Sequence, residues 1–273
     1  IRLGNGPFEP HTPTHYEGLA GVNAEVKPYS LVEGTQGTYR IGSQTPFSNF
    51  EYSAESVRWQ EGDALDLKGE CFPYAIIARN GFLFNTGIFF TQGVTLTGTY
   101  EGKPIRTTGE YDRSYLTVDS GGNTPAQTLL PYICFCMTGV LKDGRREFAY
   151  ITFQKENGKC DGVYYREGEE PVASEEVYMD TEFQFLPYVK DRSCVNISRA
   201  VITVGDKTIH YSAKWGSKGH TPYPNYSYKG FSDTYGSWYV GDEPYEHDIS
   251  SALIEAMGMT AEYARSLGFK VVE

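Results

Sequence analysis

The chain has 273 residues, 40% of them hydrophobic and 15% aromatic, which excludes a disordered polymer and leaves room for two domains. Its net charge of −11, from 24 basic and 35 acidic residues, argues against nucleic acid and anionic membrane surfaces as partners. No apolar run approaches the roughly 20 residues that a membrane helix needs.

Residues Ile1 to Tyr16 are rich in Pro, Gly and His and read as coil. His11 and His15, flanked by Glu9 and Glu17, invite a metal reading, but Pro13 between them argues against a helix that would set both on one face. A solvated arm is the competing reading. From Val26 to Gln60 come short strand candidates, with alternation clearest over Gly37–Ile41 and Ala54–Trp59. Glu61–Gly62–Asp63 is a turn, Leu65 and Leu67 then alternate with Asp66 and Lys68, and Cys71–Ala78 is a strand with an edge or bulge at Pro73. Arg79–Asn80–Gly81 reads as a turn, and Phe82–Thr91 is almost wholly apolar or aromatic.

Thr95–Leu116 is the stretch around which the chain is organised. Leu96, Gly98 and Tyr100 alternate with threonines, Glu101–Gly102 turns the chain, and Lys103–Thr108 returns it. Glu110, Tyr111, Asp112, Arg113, Ser114 and Tyr115 then crowd ionisable and phenolic groups into six positions.

Asp119–Thr128 has linker composition. It sets an expected boundary between a domain over residues 1–120 and another over 121–246. In the second, Leu130–Leu141 and Arg146–Phe153 read as a hairpin about Asp143–Gly144. Val195–Val204 and Lys207–Lys214 pair across Gly205–Asp206. Val163–Arg166, Glu176–Asp180, Glu182–Leu186 and Phe231–Val240 are further strands, and Trp215–Tyr228 is a loop. Residues 247–273 read as a helix, with Ile249, Leu253, Met257 and Ala261 at four-residue steps, Asp248 capping and Gly268 ending it. Such a helix packs across a barrel, plugs one end or supports a homodimer. Many short strands joined by glycine turns, without βαβ alternation, mean an all-β fold of barrels or sandwiches.

Five cysteines, Cys71, Cys134, Cys136, Cys160 and Cys194, fit no zinc spacing and read as buried thiols of a reducing, cytoplasmic compartment. Asn196–Ile197–Ser198 and Asn225–Tyr226–Ser227 match the glycosylation pattern and point the other way, so localisation stays open.

The hairpin, its turn, the glycine and Asp112–Arg113–Ser114–Tyr115 together resemble the two-domain lipocalin-like proteins. These include carotenoid hydratases, AttH-like proteins and fungal lipocalin-like Diels–Alderases. Thr138–Gly139, the LKDGRREFAY hairpin, Gly162–Tyr165, VITVGDKTIHYSAKW and Asp233–Gly236 follow in a similar order. Tyr115 stands where that pattern has Trp. The resemblance implies two calycin-like antiparallel barrels, a hydrophobic pocket in or between them, and catalysis without a cofactor.

Asp112 is the leading acid–base candidate, because a carboxylate beside aromatic walls has its pKa raised by desolvation. Arg113 would lower that value if the two pair, and the pair would then be a structural bridge. Tyr115 and Tyr235, with Tyr111, are phenols that could orient or protonate a carbonyl or alkene. Trp59, Tyr74, Phe89, Tyr132, His210 and Trp238 are substrate-binding candidates as strand-borne aromatic or imidazole groups. Phe90 and Phe135 belong with them by the same criterion. No nucleophile elbow, phosphate loop or dinucleotide fingerprint is present, so no cofactor is expected.

The expected function is a cofactor-independent hydratase, isomerase or cyclase (a lyase or isomerase of secondary metabolism) acting on a small hydrophobic or phenolic metabolite of terpenoid, polyketide or flavonoid type. A carrier of lipophilic ligands and a metal-dependent lyase or hydrolase using His11 and His15 are the alternatives.

Overall fold

The computed structural model describes residues 30–33, 39–44, 47–79, 88–115, 132–154, 159–174, 176–185, 195–214, 221–222, 232–257 and 259–272. They form an all-β fold of two sheets with one short helix near the C-terminus. The first sheet runs in chain order: β1 (Ser30–Glu33), β2 (Tyr39–Gln44), β3 (Phe47–Tyr52), β4 (Ser56–Glu61), β5 (Leu65–Arg79), β6 (Ile88–Tyr100) and β7 (Lys103–Tyr115). By contact density the chain divides into two compact units. One holds the described residues of 9–73 and 94–107, the other those of 74–93 and 108–273, so β5, β6 and β7 contribute to both.

In the first unit the hairpin about Glu101–Gly102 is as expected. Glu101 (φ 48°) and Gly102 (φ 73°) are both left-handed, the geometry of a two-residue turn between twisted strands. Leu65, Leu67 and Leu96 are buried, and Val57, Val94 and Leu96 close over Gly69, where a side chain would collide with all three. The separate strand candidates at Leu65–Leu67 and Cys71–Ala78 are one strand, β5.

The second unit carries β8 (Tyr132–Val140), β9 (Arg146–Gln154), β10 (Lys159–Arg166), β11 (Val172–Ser174), β12 (Val177–Phe185) and β13 (Val195–Val204). It continues with β14 (Lys207–Ala213), β15 (Thr221–Pro222), β16 (Ser232–Val240), β17 (Ile249–Met257), α1 (Ala261–Ser266) and β18 (Lys270–Val272). The sheet order is β11-β10-β9-β8-β17-β16-β14-β13-β12-β18, with β15 on β16. Every pairing is antiparallel except the one between β12 and β18. The sheet curls on itself, because Gly162 of β10 lies against Val177 of β12 and Val204 of β13. The hollow of the curl is filled by Phe135, Ile151, Tyr164, Phe183, Ile197, Ile202, Ile209 and Trp238.

The hairpins about Asp143–Gly144 and Gly205–Asp206 form where the sequence sets them. The strands expected at Glu176–Asp180 and Glu182–Leu186 are one strand, β12, with a bulge between Glu182 and Phe183. The C-terminal reading needs correction. Ile249–Met257 is not helix but β17, wedged between β8 and β16, and the helix is confined to Ala261–Ser266. Thr260 caps it, accepting from Tyr263 N at 3.1 Å, and Ala261 and Ala264 face the core. The linker expected at Asp119–Thr128, the turn at Asn80–Gly81 and the arm with His11 and His15 lie outside the described residues.

Candidate functional site

Strict alternation on β8 separates two chemistries. Ile133, Phe135 and Met137 join the hydrophobic core with Ala149, Ile151, Ala252 and Ile254. Cys134, Cys136 and Thr138 point the other way and are buried too. Register extends this second face over neighbouring strands, since paired residues share a side of the sheet. Tyr150 of β9 and Leu253 of β17 flank Cys136, and Tyr235 of β16 lies beyond Leu253. In the next row Cys134 sits between Thr152 and Glu255.

The parts of β6 and β7 that belong to this unit pack on that face. Thr108 Oγ1 donates to the Thr138 carbonyl at 3.3 Å. Two residues on, Glu110 accepts from Thr91 Oγ1 at 3.0 Å. The Cys134 and Cys136 sulfurs are 3.5 Å apart. On the opposite side of β7, Tyr111 donates to Gln92 Oε1 at 3.2 Å.

Burial pushes the Glu110 carboxyl up to about 7, and the negative charges of Asp112 and Glu255 push the same way. The hydrogen bond from Thr91 holds it back in part. The same burial drives Cys134 up and both Cys136 and Tyr150 well above their ordinary values. Protonated thiols are not nucleophiles, so their use here is as hydrogen-bond donors. Glu110 alone among these four is brought towards neutrality, where a carboxyl can both give and take a proton.

Asp112 is the residue that the sequence offers for that role. Asp112 is exposed, and Glu110 two residues before it is half-buried. Arg113 and Tyr115 lie in β7, with side chains outside the described residues, as are those of Phe89, Phe90 and Tyr132. Tyr235 is buried on the same face as Cys136. Trp238 is core: its Nε1 donates to the Thr138 carbonyl at 3.3 Å. His210 stacks on Tyr239 with ring centres 4.5 Å apart. Tyr74 is 45% exposed, edge-on to Tyr165. Trp59 belongs to the other unit, where its Nε1 donates to Glu61 at 3.0 Å. Among the described residues no group of three or more His, Cys, Asp or Glu is placed to hold a metal ion. No described helix is long and apolar enough to cross a membrane.

A fully buried carboxylate, Glu147 of β9, has a different fate. It accepts from His247 Nε2 at 2.5 Å, Tyr245 at 2.6 Å, and Tyr164 and Arg166 at 2.9 Å each. Burial opposes its ionisation, but the hydrogen bonds from His247 and Tyr245 and the attraction of His247 and Arg166 outweigh that and hold it below its ordinary value. Trp238 covers His247 at 4.9 Å between ring centres, and Gly139 leaves no room for a side chain against the imidazole. The cluster is saturated and closed. It ties the connection between β16 and β17 to the sheet and leaves no group for a substrate.

The sequence matches no family model, and no curated protein matches it. Among solved structures, the chain is similar to a protein assigned as AttH (NE1406) from Nitrosomonas europaea. The identity is 12%, with 85% of this chain and 69% of that chain covered and a TM-score of 0.49. It is also similar to kievitone hydratase from Nectria haematococca, at 10% identity, 81% and 82% coverage and a TM-score of 0.42.

Proposed function

We propose that this chain is a cofactor-independent acid–base enzyme for a small hydrophobic or phenolic metabolite, with Glu110 as the group that gives and takes the proton. The observation that supports this reading is a half-buried carboxyl held by a neutral donor, Thr91, next to two other carboxylates, Asp112 and Glu255. Such a carboxyl resists ionisation, so it carries a proton close to neutral pH and can deliver it to an alkene or carbonyl carbon or oxygen. The carboxylate left behind recovers a proton from the substrate or from an attacking water. Hydration, isomerisation and cyclisation all share that step. Tyr235, on the same sheet face, is a second group able to meet a bound substrate. The aromatic content of the chain, 15%, suits a flat or greasy ligand.

The test is native mass spectrometry of the purified protein to identify a co-purifying hydrophobic ligand. Turnover of that ligand class in deuterated water follows. Deuterium incorporation by the wild type, falling roughly 100-fold or more in Glu110→Gln, is the expected result. Binding without conversion or exchange would instead make the chain a carrier.

A further inference from the structure

We propose that Thr91 is a positioning residue for Glu110: its hydroxyl holds Oε2 of the carboxyl, so that Oε1 is the oxygen that carries the proton to be transferred. The inference deepens the acid–base reading of Glu110 and rests on it for its functional meaning, though its physical content does not.

Two threonine contacts carry the geometry. Thr91 Oγ1 of β6 donates to Glu110 Oε2 of β7 at 3.0 Å. Thr108, two residues before Glu110 on the same strand, donates to the Thr138 carbonyl of β8 at 3.3 Å. That carbonyl also accepts from Nε1 of Trp238, a core residue, at 3.3 Å. The backbone of β7 is thus pinned to β8 beside Glu110, and the carboxyl itself is pinned to β6. Thr91 and Thr108 are closed to solvent, at 0% and 1% exposure, whereas Glu110 is half-buried. Little water can compete for the threonine hydroxyls, so the carboxyl keeps one orientation.

The choice of oxygen follows from the donor. In a neutral carboxyl the carbonyl oxygen is the better acceptor, so the oxygen that takes the Thr91 hydrogen is the unprotonated one. The proton then sits on Oε1. When it leaves, the electron pair of its O–H bond stays on the carboxylate, and the Thr91 bond becomes charge-assisted and stronger. Thr91 therefore favours the product of the transfer without ionising the acid beforehand, as a cation would. A valine of the same shape would offer no donor. The ionisable groups around Glu110 are Asp112 on its own strand, Cys134 and Cys136 on β8, Tyr150 on β9 and Glu255 on β17.

The test needs no substrate. Infrared spectroscopy across the pH range reads the protonated carboxyl of Glu110, assigned by its loss in Glu110→Gln. Thr91→Val should raise the midpoint, by about one pH unit, because a donor favours the ionised form. Thr91→Ser, which keeps the hydroxyl, should restore it towards the wild-type value. The sign decides the oxygen. Were the proton on Oε2 and donated to Thr91, the hydroxyl would favour the neutral carboxyl, and its loss would lower the midpoint. A fall in Thr91→Val, no shift, or equal shifts in the two variants would overturn the proposal. A second reading uses the native protein. In carbon-13 NMR of threonine-labelled protein, the Thr91 Cβ signal should titrate with the Glu110 midpoint and become independent of pH in Glu110→Gln. A signal that ignores pH in the wild type overturns the proposal even if the valine variant does not fold. Should Thr91 govern the midpoint while Glu110→Gln still turns over substrate, the positioning role stands and the catalytic reading falls. Should Thr91→Val leave the midpoint unmoved while Glu110→Gln abolishes turnover, the reverse holds.

Discussion

Glu110 and Asp112 leave β7 on the same side, two residues apart, yet Glu110 is half-buried against Thr91 while Asp112 is exposed. The exposed carboxylate is not idle, because its negative charge is the largest contribution after burial to the raised proton affinity of Glu110. Asp112→Asn should therefore lower the Glu110 midpoint, by roughly one pH unit or less given solvent screening at the exposed position. If Glu110 acts as an acid, the alkaline limb of the kcat/KM profile should move down with it. A profile unmoved by Asp112→Asn would contradict the coupling.

Opposite consequences for stability follow from Glu110 and Glu147. Glu110 binds its proton more tightly folded than unfolded, so its contribution is fully present below its unfolded value near 4.5 and is lost as pH rises to about 7. Glu110→Gln removes that loss. Thermal unfolding should show the variant more stable than the wild type at pH 8, with the gain vanishing below pH of about 4.5. A variant less stable at pH 8 would mean that Glu110 serves structure rather than chemistry.

Glu147 carries the reverse sign. Its proton affinity is lowered on folding, so its contribution is present above its unfolded value of 4.5 and is lost as pH falls through the lower folded value. Glu147→Ala leaves Arg166 without its main partner and should cost roughly 3–5 kcal/mol in denaturant titrations at pH 7. Gly139→Ala drives a methyl into the His247 ring and should cost about 1–3 kcal/mol by the same measurement. Wild-type stability in either variant would show the cluster to be dispensable.

Burial of Cys134 and Cys136, and their raised proton affinities, predict inert thiols. Neither should react with a disulfide reagent at pH 8 in the native protein, and both should react on unfolding, as read by mass spectrometry of the labelled peptides. Rapid native labelling of Cys136 would place it at an open surface.

The sequence made the hairpins legible because their cause is local. Asp143–Gly144, Gly205–Asp206 and Glu101–Gly102 carry their turn chemistry between alternating strands, and the backbone obeys it. The C-terminus misled for a geometric reason. Residues four apart share a face in a helix and also in a strand, so Ile249, Leu253 and Met257 fit both periods. Pairing with β8 and β16 settles the matter, and neither partner is near in sequence. The choice between Glu110 and Asp112 was hidden for a similar reason. Alternation puts both on one side of β7, and only the contact with Thr91, nineteen positions back, decides which is half-buried. Nothing local in sequence marks His247, because its partner Glu147 is one hundred positions away.

The titration of one carboxyl decides most. Carbon-13 NMR of the protein labelled at glutamate side-chain carboxyls, with Glu110 assigned by its absence in Glu110→Gln, gives its midpoint directly. A midpoint close to 7 is the predicted result. A midpoint at the ordinary glutamate value of 4.5 would mean that Glu110 is open to water and ionised at neutral pH, and the acid–base account would fail.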